Sequence, residues 1–172
     1  MPLVTPRNWW KPFNREEKIW MLLILAWCLV MFAMMPLGHL WGQNVSQETY
    51  RTTPAEFRQA TMAFIGKYQV GNEKGLPVVE PPPGDVFLMA QMYQFTPILK
   101  LKKGETYRIH MSSADVQHGF SLQPQNLNYQ LVPGYDFVVT MAPREAGQFS
   151  LICNEYCLYG HHLMVGKLWV DE

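Results

Sequence analysis

The sequence predicts a mainly β protein: a small β-sandwich or Greek-key barrel carried behind a single N-terminal membrane-spanning α-helix. Three observations predict it. Ile19 to Leu37 is nineteen residues without a charge. From Val86 onward, short β-type runs alternate with turn residues. The chain of 172 residues is long enough to bury one ordinary core beside the appended helix without disulfide staples.

The helix comes first. At about 1.5 Å per residue, "IWMLLILAWCLVMFAMMPL" covers about 28 Å, close to the hydrocarbon thickness of about 30 Å. Trp20 and Trp41 flank it where amphipathic rings favour the interface, and Pro36 is expected to close or kink its last turn. Arg7, Lys11, Arg15 and Lys18 precede the span, whereas Gly38 to Tyr50 hold no lysine or arginine. The charge asymmetry predicts an N-terminus kept inside and a bulk outside the cytoplasm. A cleaved signal peptide fits less well, because the leading segment is long and no small-x-small site follows.

Next, "TTPAEFRQATMAFIGKY" carries a helix start signal, with Thr53 as N-cap, Pro54 in the first turn and Glu56 completing a capping box. Phe57, Ala60, Phe64 and Tyr68 form one apolar face, and Gly66 lies near the expected end. "GNEKGLPVVEPPPGD" then breaks all periodicity and reads as a linker or draped loop. The strands follow as "VFLMAQMYQF", "ILKL", "TYRIHM", "GFSL", "DFVVTM", "GQFSLIC" and "VGKLWV". In "TYRIHM", Tyr107, Ile109 and Met111 should face inward and Arg108 and His110 outward. The expected organisation is 1–18 cytoplasmic, 19–41 anchor, 42–85 helix and linker, and 86–172 sandwich.

Charge and cysteine usage exclude other classes. Formal net charge is zero and no long run of lysine and arginine occurs, which argues against nucleic-acid binding. Three cysteines are too few for a disulfide framework.

The chemistry concentrates in "CNEYCLYGHHLM", which lies between the last two strands. Cys153 and Cys157 are four residues apart, His161 follows by four and Met164 by three. Thiolate, imidazole and thioether together form a soft set that selects copper, and zinc has little use for a methionine. His118 opens a strand upstream in "DVQHGFSL", a position that Greek-key topology can bring beside the final loop. A disulfide, a structural zinc site and solvated loop histidines are the competing readings. A mononuclear blue-copper centre needs one cysteine, whereas two thiolates can bridge two copper ions.

The His-Gly-Phe at His118, followed by Cys-x-Glu-x-Cys-x-x-x-His-x-x-Met before the last strand, resembles subunit II of the haem-copper oxidases. That resemblance implies a cupredoxin domain with a binuclear copper A centre. It implies Cys153 and Cys157 as bridging thiolates, His118 and His161 as one imidazole on each copper, Met164 as a weak ligand, and the Glu155 carbonyl as another. His162 falls outside the spacing and is assigned to solvent or an interface. The Glu155 side chain is implied in magnesium binding against a partner subunit, for which a hard carboxylate suits.

The same resemblance implies a prokaryotic cytoplasmic membrane, a haem-containing catalytic subunit I as partner, and a cytochrome c or small copper protein as electron donor on the periplasmic side. A copper A subunit of nitric oxide reductase is the runner-up, and a tethered copper chaperone or a disulfide-bonded structural sandwich are readings of other classes. Three features depart from the family. Only one span is visible, Leu158 stands where relatives have a small residue, and "MYQF" matches their aromatic electron-entry stretch only loosely. From Gly42 to Glu172, ten bases face twelve acids, so donor docking is expected to be mainly apolar.

Overall fold

The computed structural model describes residues 11–41 and 47–172, and Arg7 and the stretch 42–46 invoked above lie outside the described residues. The chain divides into two compact units, Met1–Asn44 and Val45–Glu172.

In the first unit, α1 runs Arg15–Leu40 from an Asn14 N-cap whose side chain accepts from the Glu17 amide, while Glu17 accepts from the Asn14 amide. This reciprocal cap starts the helix four residues before the apolar run. Pro36 does not close it: the helix continues to Leu40 with Trp41 as C-cap. Among the described residues it is the one helix long and apolar enough to cross a membrane, and none of its residues is buried. An apolar surface exposed all round suits lipid as its solvent.

The second unit is a two-sheet β-sandwich. One sheet has the order β1-β10-β7-β4-β5 (Gln47–Arg51, Tyr135–Met141, Tyr107–Ser113, Gly84–Gln91, Gln94–Thr96). The other has the order β2-β3-β6-β12-β11-β8-β9 (Gln69–Glu73, Leu76–Val79, Ile98–Lys102, Val165–Asp171, Gly147–Ile152, His118–Leu122, Leu127–Leu131). Alternation holds along β7: Tyr107, Ile109 and Met111 are buried while Arg108 and His110 are less so. These side chains meet Leu99, Leu101, Phe120, Leu122, Leu151 and Leu168 from the other sheet in one continuous core. Each such burial contributes about 1.5–3 kcal/mol. The buried Tyr107 hydroxyl accepts from the Lys102 amide at 3.0 Å, tying β7 to β6.

Helix α2 (Pro54–Tyr68) forms with the predicted capping box: Thr53 Oγ1 accepts from the Glu56 amide, and Glu56 accepts from the Thr53 amide. It passes Gly66 and ends at Tyr68. Its buried side chains are Phe57, Thr61, Phe64 and Ile65, with Thr61 donating to the Phe57 carbonyl. Phe57 and Phe64 pack on Phe87 of β4 at ring distances of 5.8 and 5.7 Å.

The stretch read as a linker is instead a hairpin. Lys74 and Gly75, both with positive φ (51° and 86°), turn β2 back onto β3, and β3 joins β6 in parallel. Two consecutive positive φ values suit the right-handed twist of a tight hairpin. Strands β1 and β9 also add to the sandwich beyond the runs recognised in the sequence, so its sheets begin well before Val86.

Candidate metal centre

Strands β11 and β12 pair without a break from Gly147↔Val170 to Ile152↔Val165. The loop Cys153 to Met164 hangs from that last pair and is closed by the Cys153 amide donating to the Met164 carbonyl at 3.2 Å. Strand β8 pairs with β11 only as far as Ile152↔Ser121, after which the loop crosses the start of β8. Gly119 permits the crossing, since a Cβ there would sit 2.6 Å from the Glu155 nitrogen and 2.7 Å from the Asn154 nitrogen. The Gly119 amide donates to Cys153 Sγ at 3.4 Å.

The loop gathers its soft atoms on one side. The free, buried thiols Cys153 and Cys157 bring their sulfurs to 3.6 Å. A ring nitrogen of His118 and these two sulfurs all lie within 4.8 Å of one another. His161 Nδ1 is 3.7 Å and Met164 Sδ 3.8 Å from Cys157 Sγ. The Cys153 thiol donates to the Glu155 carbonyl at 3.2 Å. His118 is wholly buried and Met164 is 1 % exposed, whereas His162 is exposed. The Glu155 side chain accepts from Gln130 of β9 at 3.1 Å.

This donor set fits a soft metal ion. His118 Nδ1 is buried with no hydrogen-bond partner among the described residues, and a buried nitrogen of that kind is costly unless something binds it. Burial first, then the neighbouring Cys153 sulfur, pushes the Cys157 thiol up to about 11. A cation that draws off the proton relieves both penalties.

Two residues to which the sequence assigned no part in the cluster, Asp115 and the Tyr93 of "MYQF", support it. Asp115 places Oδ1 2.7 Å from His118 Nε2 and accepts from the Met92 amide at 2.7 Å and the Val116 amide at 2.6 Å. Burial would raise its pKa, but the bonds from Met92, His118 and Val116 outweigh that and hold the carboxyl below the usual range. Tyr93 abuts the loop from the β4–β5 turn, its ring standing where a Cβ on Gly160 would come within 2.3 Å. A turn acid three residues before a histidine was the available signal, and "SSAD" reads equally well as a plain turn.

Around the buried sulfurs and His118 the loop exposes apolar side chains, with Tyr156 74 %, Tyr159 91 % and Leu163 70 % accessible. Leu158, directly after the second cysteine, adopts a left-handed backbone with φ of 79°.

No family model matches the chain. It is 27% identical over 162 residues to a cytochrome c oxidase subunit 2 of Thermus thermophilus, covering 91% of this chain and 92% of that protein. A second protein of that name from the same species is 34% identical over 87 residues, 51% of this chain and 64% of the other. Among solved structures, a chain of a heme-copper terminal oxidase dimer superposes with a TM-score of 0.60 at 22% identity, covering 91% of this chain and 100% of that one.

Proposed function

We propose that this chain, a homologue of proteins named cytochrome c oxidase subunit 2, is the electron-entry subunit of a membrane haem-copper terminal oxidase. In this reading a binuclear copper A centre is held by His118, Cys153, Cys157, His161, Met164 and the backbone carbonyl of Glu155. The observation that carries it is the pair of buried sulfurs 3.6 Å apart beside a His118 nitrogen that lacks a partner among the described residues. One thiolate suffices for a single copper, so two within bridging reach support a pair. When bound, the two coppers would supply one-electron transfer, since their shared charge changes little at either ion.

The chain's own residues account for the rest. Both thiols must lose their Sγ protons to ligate, and a cation that takes the proton's place offsets the burial that raises the Cys157 thiol. Burial of His118, Cys153, Cys157 and Met164 keeps water out. The Cys153–Met164 backbone bond and the Gly119 contact hold the loop against two strands, which limits how far the ligands can move between oxidation states.

On this reading the chain relays electrons within an oxidoreductase complex, and the chemistry on oxygen belongs to a haem-bearing partner subunit. The exposed Tyr156, Tyr159 and Leu163 support an apolar contact with a cytochrome c or small copper protein. Glu155 offers a hard carboxylate at the same loop, suited to magnesium at a subunit interface. Helix α1 would anchor the chain in a prokaryotic cytoplasmic membrane, N-terminus inside, with the sandwich on the periplasmic side. The nitric oxide reductase reading is not favoured, because the relatives carry the oxidase name.

The test is electron paramagnetic resonance on the full chain in detergent, loaded with one equivalent each of Cu(I) and Cu(II) under argon, with copper and protein quantified. The expected outcome is two coppers per chain and hyperfine splitting from one electron shared equally between them, lost in Cys153→Ser and Cys157→Ser. A single-copper spectrum, or readily exchanged copper, would instead point to a tethered chaperone.

A further inference from the structure

We infer that Asp115 is a positioning residue for the metal centre: it holds His118 as the Nε2–H tautomer, and the β4–β5 turn at the surface in turn holds Asp115. The first step is geometric. Asp115 Oδ1 is 2.7 Å from His118 Nε2, and an ionised carboxylate can only accept, so the proton belongs on Nε2. Nδ1 is thereby left bare. It is the buried nitrogen that has no partner among the described residues. A ligating imidazole needs one bare nitrogen and gains orientation and basicity from the bond its other nitrogen donates.

The second step concerns what fixes Asp115. Its two oxygens have separate duties: Oδ2 accepts from the Met92 amide, and Oδ1 accepts from the Val116 amide and His118. Ser113 Oγ adds a contact to Oδ1 at 3.4 Å and also donates to the Val116 carbonyl. The carboxylate therefore has little freedom to rotate away from the ring. Met92 belongs to the turn between β4 and β5 and is 43 % exposed, whereas His118 is wholly buried. The next residue, Tyr93, presses on Gly160, immediately before His161. One short surface turn thus braces both segments that carry histidines at the site.

This rests on the copper reading only for its second readout. The full chain, labelled with 15N-histidine and free of copper, is measured in detergent by long-range 15N–1H correlation, with His118 assigned through backbone connectivity. The expected wild-type result is Nε2 protonated and Nδ1 bare. Asp115→Ala should produce a mixture of tautomers and weaken copper affinity, read by competition with a chromophoric chelator, by roughly 10–100-fold. Asp115→Asn keeps an oxygen that can accept from Nε2 but sets an NH2 against the Met92 amide, so it should retain the tautomer while recovering only part of the affinity.

A wild-type chain protonated on Nδ1 would overturn the inference, as would Asp115→Ala with both tautomer and affinity unchanged. Should Asp115→Ala not fold, the wild-type tautomer and its retention in Asp115→Asn decide. If the wild type binds no copper, the proposed function fails while the tautomer measurement still judges Asp115.

Discussion

Gly119→Ala tests whether the crossing of the Cys153–Met164 loop over β8 is as tight as its geometry requires. The added Cβ would lie 2.6 Å from the Glu155 nitrogen and 2.7 Å from the Asn154 nitrogen, both backbone atoms, and 2.2 Å from Asn154 Oδ1. The Asn154 side chain can swing away, but the backbone must retreat about 0.8 Å to reach ordinary contact, a distance typical of overpacked sites that cost about 1–3 kcal/mol. For a chain of this size that lowers Tm by about 2–12 °C. The same retreat pulls Cys153 and Glu155 from β8 and stretches the 3.4 Å Gly119–Cys153 contact. Thermal melts of the copper-free full chain followed by circular dichroism, with copper stoichiometry on the same samples, provide the assay. A Tm within about 1 °C of wild type, together with undiminished copper binding, would refute the reasoning.

Two further predictions concern other parts of the sandwich. Burial would lower the His110 pKa, but the carboxylates of Asp136, 2.7 Å from Nδ1, and Asp85, 3.4 Å from Nε2, outweigh it and hold the value above normal. Its charged form therefore stabilises the fold fully below the unfolded value of about 6.5, and that contribution is lost as pH rises through the folded value; His110→Gln should flatten the fall of Tm over that range, and identical slopes in the two proteins would count against it. Leu158→Gly removes a bulky residue from a left-handed backbone of φ 79°. Relief of about 1–2 kcal/mol exceeds the added flexibility of the unfolded chain at about 0.4–1 kcal/mol, so the denaturant midpoint should rise; a lower midpoint would show that Leu158 is kept for its packing.

Much of this architecture was legible because a few elements carry strong local signals. The uncharged run from Ile19 to Leu37 has one physical solvent, and Thr53 with Glu56 states a helix start without tertiary help. Alternation in Tyr107 to Met111 reported the two faces of a strand. At the candidate site, Cys153, Cys157, His161 and Met164 are close in sequence, so their meeting within one loop was readable; His118 required a guess at topology. The hairpin at Lys74 and Gly75 was obscured because the prolines from Pro81 to Pro83 dominate that stretch, while the turn depends on a lysine with positive φ. Strand β9 was passed over because Asn128 and Gln130 have little strand preference, though the adjacent β8 supplies its ladder. Asp115 reads in the sequence as a turn former, because its bond to His118 depends on local backbone geometry and the Met92 amide that steadies it comes from beyond the distant end of β4.

The unbroken register of β11 and β12 has a consequence for assembly in the cell. Because the ladder runs to Ile152↔Val165 and the next backbone bond, Cys153 to Met164, already closes the mouth, the loop's ends are fixed by the sheet itself. Folding of the sandwich can therefore shape the receptacle before any cargo arrives. On the proposed copper reading, metal delivery then follows folding: a donor need only reach a finished domain, and a chain that misses delivery keeps its scaffold for a later attempt.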